Sequence, residues 1–158
     1  MRPIRYLIFA AALGLAAPAA AQQAGQLGMG ILLGDPTSGS LKYWLNDVEA
    51  IDFGIGVSQN LVLHSDYIYH GWDLMPAHPK SGKLAAYGAL GGRLEFEHDT
   101  DFGFRAMAGL SYWPYLKQRS AEFFLELGPV FRVTNDLRVT VDGGFGVRFY
   151  FQPHKKAS

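Results

Sequence analysis

The chain has 158 residues, with 14 Lys and Arg set against 14 Asp and Glu, 49% hydrophobic residues and no cysteine. A neutral chain has no broad electrostatic attraction for nucleic acid. The missing thiol excludes a lipoprotein anchor, a disulfide framework, a cysteine nucleophile and thiolate metal ligation together.

Residues 1–21 hold Arg2 and Arg5, an apolar run from Tyr6 to Ala17, and Ala19-Ala20-Ala21 before Gln22. That is the layout of a cleavable secretory signal, and the run is short of the ~20 residues a spanning helix needs. Removing 21 of 158 residues leaves 137, with a formal charge of −2, since this segment carries two bases and no acid. The expected organisation is a signal at 1–21, one closed domain at 22–151 and a short polar tail at 152–158. No later stretch has eighteen consecutive apolar residues, so membrane residence after the signal requires a closed sheet, whose backbone groups all pair within it.

Apolar residues then recur at every second position between turn-forming clusters, which predicts eight strands. In chain order they run Ala24–Leu33, Ser40–Leu45, Ala50–Val57, Leu61–Tyr69, Leu84–Phe96, Phe102–Trp113, Ala121–Val133 and Leu137–Phe151. Gly34-Asp35-Pro36, Asn46-Asp47, Ser58-Gln59-Asn60, Asp99-Thr100-Asp101 and Asn135-Asp136 interrupt them with turn chemistry. The expected fold is all-β, a closed antiparallel up-and-down barrel.

The two parities of each strand differ in kind. In the last strand Val139, Val141, Phe145, Val147 and Phe149 alternate with Arg138, Thr140, Asp142, Arg148 and Tyr150; the seventh sets Phe123, Leu125, Leu127 and Phe131 against Glu122, Glu126, Gly128 and Arg132. Such a sheet closes either apolar side inward, as a soluble barrel of lipocalin type, or apolar side outward in lipid. Periodicity alone leaves both open. The polar parity is rich in glycine and prefers arginine to lysine, which favours a cramped interior over a solvated surface.

That parity carries six bases (Lys42, Arg93, Arg105, Arg132, Arg138, Arg148) and six acids (Asp52, Asp66, Glu95, Glu122, Glu126, Asp142), with His64 beside Asp66. Equal numbers permit a lumen filled by ion pairs, and arginine's planar fork suits carboxylates. Aromatics gather where even strands end and odd strands begin. Tyr43, Trp44, Tyr67, Tyr69, Trp72, Tyr112, Trp113, Tyr115, Phe149 and Phe151 share one rim, as an interfacial belt requires.

With its signal, eight strands and final GGFGVRFYF from Gly143 to Phe151, the chain resembles the small bacterial outer-membrane barrels of the OmpA and OmpX type. GILLGDPTSGSLKYW from Gly30, AIDFGIG from Ala50, LHSDYIYH from Leu63, YGALGGRL from Tyr87 and FFLELGPVF from Phe123 are similar to a family of uncharacterised bacterial outer-membrane β-barrel domain proteins. The resemblance implies a barrel in the outer membrane, with membrane lipids and the barrel assembly machinery as partners and no catalytic motif. Two departures stand out. Phe151 is followed by seven further residues instead of ending the chain, and the longest connection, Gly71 to Lys83, falls on the side of the chain ends.

Candidate chemistry is sparse. His64, Asp66 and His70 share a parity of strand four, where a metal or proton relay could be built, although Ile68 intervenes. His64, Ser65 and Asp66 hold triad residue types, but Ser65 points to the opposite face. Neither the H-x-S pattern of an outer-membrane deacylase nor G-x-S-x-G is present. Gly88-Ala89-Leu90-Gly91-Gly92 and Gly143-Gly144-Phe145-Gly146 lie within strands and open no helix, so they are small lumen or bend positions and not phosphate loops. His78 and His154-Lys155-Lys156 read as solvated loop and terminus. The expectation is a non-enzymatic integral outer-membrane protein without cofactor, in a structural or envelope-interaction role. The alternatives are a periplasmic soluble barrel binding a small apolar ligand, a lipid-modifying enzyme and a small pore.

Overall fold

A computed structural model describes residues 24–76, 79–116, 120–134 and 137–151. The expected signal, the tail at 152–158, His78 and the Asn135-Asp136 turn lie outside the described residues. Eight strands form: β1 (Leu27–Asp35), β2 (Thr37–Trp44), β3 (Glu49–Val57), β4 (Leu61–Gly71), β5 (Gly82–Phe96), β6 (Thr100–Pro114), β7 (Ser120–Arg132) and β8 (Arg138–Phe151). They close in chain order into an antiparallel barrel, with β1 completing the ring against β8. The expected all-β up-and-down fold is the observed one. Every strand end falls within three residues of the sequence reading. In the first hairpin the Gly34-Asp35-Pro36 turn is tighter than expected, so that β1 runs to Asp35 and β2 starts at Thr37.

Burial alternates residue by residue because strand side chains alternate between faces. In β3, Ala50, Asp52, Gly54 and Gly56 are buried while Phe53, Ile55 and Val57 are exposed. In β7, Glu122, Phe124, Glu126, Gly128 and Val130 are buried while Phe123, Leu125, Leu127 and Phe131 are exposed. The charged parity therefore faces the lumen and the apolar parity faces out; β1 differs only in turning glycines and Leu32 inward in place of charges.

The register sets the tilt. From Gly30 the cross-strand partners run through Ser40, Gly54, His64, Arg93, Gly103 and Arg132 to Arg138. Arg138 lies five residues past Gly143, the partner of Asp35, which is itself five residues past Gly30. One circuit thus climbs ten residues, and the strands must tilt strongly to close. As a result β8 overshoots β1, and Arg138 to Asp142 rise past the β1–β2 turn without a β1 partner.

Glycines on the lumen side sit beneath the large interior side chains. A Cβ at Gly54 would strike the His64 ring, one at Gly109 the Tyr87 ring, and one at Gly146 the Phe124 ring. The absent Cβ atoms are what lets rings and guanidinium groups share an interior that eight strands make only just wide enough for side chains. Pro129 on β7 has no N–H to donate, and the β6–β7 pairing skips from Arg105↔Val130 to Ala108↔Leu127 around it.

Candidate functional site

The lumen is the candidate site, and its charges fall into two groups. In the group nearer the chain ends, Lys42 Nζ lies 2.7 Å from Glu122 Oε1, and Glu122 Oε2 lies 3.3 Å from Arg148 Nη1. Arg148 also pairs with Asp52. Ser40 Oγ accepts from Arg148 Nε at 2.7 Å and donates to Asp52 Oδ1 at 3.0 Å. Tyr150 donates its hydroxyl to Glu122, and the Arg148 guanidinium lies 3.6 Å above the Phe124 ring.

The second group is centred on Arg105, whose side chain meets three carboxylates: Asp66 at 3.2 Å, Glu126 at 3.1 Å and Asp142 at 3.4 Å. Tyr87 donates to the second Glu126 oxygen at 3.0 Å. Asp142 also pairs with Arg93, which reaches Glu95 at 3.2 Å. Glu95 pairs with Arg132, and Arg132 lies 3.6 Å from Asp101. Asn60 on the β3–β4 turn donates to Glu95 at 3.2 Å. Every one of these carboxylates has a cation within reach, which is the condition for keeping a charge out of water.

Above the first group, toward the chain ends, the lumen is filled by rings. Trp44, Trp113 and Tyr150 pack with Ala50, and Trp72 lies against them from its 3-10 turn, Trp72–Leu74. Trp72 stacks on His70 at 5.8 Å and donates its indole N–H to the Asp47 carbonyl at 2.9 Å. Lys42 Nζ sits 4.7 Å from the Trp44 ring centre and 5.7 Å from that of Trp113, and 3.0 Å from His70 Nε2. Such cation–π contacts strengthen when desolvated.

Of the residues singled out from sequence, Lys42, Asp52, Asp66, Arg93, Glu95, Arg105, Glu122, Glu126, Arg132, Asp142 and Arg148 are brought together in these groups. His64 faces the lumen but its ring lies over Gly54, outside the ion pairs. Arg138 is a correction. It has the lumen parity, but the overshoot of β8 leaves it exposed at the rim, opposite Arg132. His64, Asp66 and His70 do not converge, since Asp66 turns to Arg105 and His70 to Lys42 and the Val48 carbonyl. Among the described residues no group of three or more His, Asp and Glu side chains could hold a metal ion.

The aromatic belt needs a second correction. Tyr43, Tyr67, Tyr69, Phe149 and Phe151 are exposed on the outer wall near the rim of the chain ends, with Tyr112 half-buried beside them. Trp113, like Trp44, faces inward, because it shares the parity of Arg105 and Ser111, and its indole N–H donates to Ser111 at 3.1 Å. Trp72 lies over the barrel mouth rather than on the wall. Asp101, which the sequence places in a turn, joins the network through Arg132, and Ser40, Tyr87 and Tyr150 add hydrogen bonds that the charge pattern does not indicate. Their parity, shared with Lys42, Arg93 and Arg148, was the available signal.

No protein-family model and no curated protein sequence matches the chain. Among solved structures, the chain is similar to the N-terminal β-barrel domain of Pseudomonas aeruginosa OprF, with a TM-score of 0.55 at 16% identity, covering 82% of this chain and 100% of that one. At that identity the likeness is one of fold, an eight-stranded closed barrel, reached with a largely different set of side chains.

Proposed function

We propose that the protein is an integral bacterial outer-membrane barrel with a structural or envelope-interaction role, its apolar wall in lipid and its lumen closed by ion pairs and rings. One observation carries this reading: the apolar parity of all eight strands points outward. Twenty-three large hydrophobic residues on the strands are exposed among those described, from Met29 on β1 to Phe151 on β8. A typical soluble monomer has a largest apolar patch of ~300–600 Å², and a band around the whole barrel is far beyond that. Transmembrane barrels are built in this sense, apolar out and polar in. A soluble barrel with an apolar ligand cavity requires the opposite orientation.

The turns at the rim away from the chain ends are short, with only Pro36 between β1 and β2 and three residues each between β3 and β4 and between β5 and β6. Little would project beyond the membrane there, which supports a role within the envelope over adhesion. The deciding experiment is a wash of the outer-membrane fraction in several molar urea, which strips peripheral proteins. Retention of the protein is expected, and release into the wash would overturn the assignment. In planar bilayers, no steady single-channel current is expected from the unmodified protein; regular conductance steps would show that the ion pairs leave a path.

A further inference from the structure

The outer wall is not evenly filled. Across β1 to β4 one outward row reads Ile31, Gly39, Ile55, Leu63, and the next reads Met29, Leu41, Phe53, Ser65. Gly39 therefore leaves a gap between two isoleucines, and a hollow of ≈ 450 Å³ opens there, walled mainly by Met29, Leu41, Phe53, Ile55 and Leu63, with Ser40 and His64 also touching it. That volume lies in the ~300–1,000 Å³ range of small-ligand sites. A Cβ added at Gly39 would meet only the Ile55 carbonyl oxygen, at 3.8 Å, so the gap is open space and not a strand contact.

We propose that this hollow is a binding site for one acyl chain of a membrane lipid. The reading rests on the membrane assignment above. Its exposed lining is predominantly apolar, Ser40 and His64 belong to the lumen parity, and none of the five wall side chains carries a charge, so the complementary chemistry is hydrocarbon and not a headgroup. A second copy of the barrel is a poorer fit. A stable interface buries about 800 Å² per partner, whereas this is a concave gap confined to four neighbouring strands and opened by a missing side chain at Gly39. A flexible chain can enter such a gap where the rigid, convex wall of another barrel cannot.

The test is photolabelling in vesicles with a phosphatidylcholine that carries a diazirine in its acyl chain, read residue by residue by mass spectrometry. Labelling at Phe53, Ile55 and Leu63 is expected to exceed that at Leu90, Leu125 and Val141 several-fold. Gly39→Leu, which projects a side chain into the middle of the hollow, is expected to bring it down to the level of the rest of the wall. Gly88→Leu is the control, since Gly88 also faces outward with nothing within 4 Å of an added Cβ and does not line this hollow. Because it is remote from the lining of the hollow, it should leave the excess labelling at Phe53, Ile55 and Leu63 unchanged. Even labelling around the wall, or labelling of β1–β4 that persists in Gly39→Leu, overturns the acyl-chain site while leaving the membrane assignment standing. Absence of label from every outward residue overturns both. Heat-dependent gel mobility of each variant reports that the barrel has folded.

Discussion

Replacing Arg148 with methionine tests the closed lumen at its most connected point. Arg148 pairs with Asp52 and Glu122, donates to Ser40 and lies over Phe124, with a side chain only 2% exposed. In Arg148→Met, Glu122 keeps Lys42 and Tyr150. Asp52 keeps only Ser40, because Lys42, its cross-strand neighbour, is turned to Glu122. One buried carboxylate thus loses its cation, a change that costs about 3–5 kcal/mol, or roughly two to four powers of ten in the folding equilibrium. Asp52→Asn in the same chain removes the stranded charge, leaves Lys42 and Glu122 balanced one to one, and should recover most of the loss. The assay is equilibrium unfolding in urea of protein folded into lipid vesicles, followed by gel mobility and tryptophan emission. If Arg148→Met is within about 0.5 kcal/mol of the parent, the range of an ordinary surface change, or if the double variant is no better than the single, the charges are solvated and the argument fails.

Four further outcomes follow from the wall and its packing. Gly30→Ala should destabilise by at least the ~1–3 kcal/mol of an overpacked core, because its Cβ would meet the Val147 carbonyl and, at 2.7 Å, the Arg148 Cα. Gly88→Ala, into open space, should be neutral or stabilising by up to about 1 kcal/mol in the same assay. Leu90, 69% exposed near the middle of β5, should cost about 2–4 kcal/mol when changed to arginine in vesicles; a change too small to measure would mean that the wall faces water. Emission from the three tryptophans, Trp44, Trp72 and Trp113, should be only weakly quenched by lipids with brominated acyl chains, since Trp44 and Trp113 face the lumen and Trp72 lies over its mouth. A tryptophan placed on the outer wall by Phe53→Trp should be strongly quenched, and equal quenching of parent and variant would contradict the inward placement.

Most of this architecture is legible in the sequence because strand parity is a local property. Arg105, Glu126 and Asp142 can be assigned to one face from their immediate neighbours, and the structure places them together. What parity cannot supply is height along the barrel, which depends on how far each strand slides past the next. Arg138 and Asp101 show the consequence. Both have lumen parity and both lie at strand ends, yet Asp101 meets Arg132 at 3.6 Å while Arg138 stands exposed. The difference is the ten-residue climb around the barrel, a sum over eight registers, none of which is written in any one segment. The tryptophans fail for a related reason. An aromatic near a strand end satisfies the pattern of an interfacial belt whichever way it points, so Trp113 could be assigned to the right rim and still be given the wrong face. Its parity with Ser111 and Arg105 was the better guide, because a strand cannot turn one side chain outward without a bulge, and the unbroken β5–β6 pairing from Gly82 to Phe96 has none.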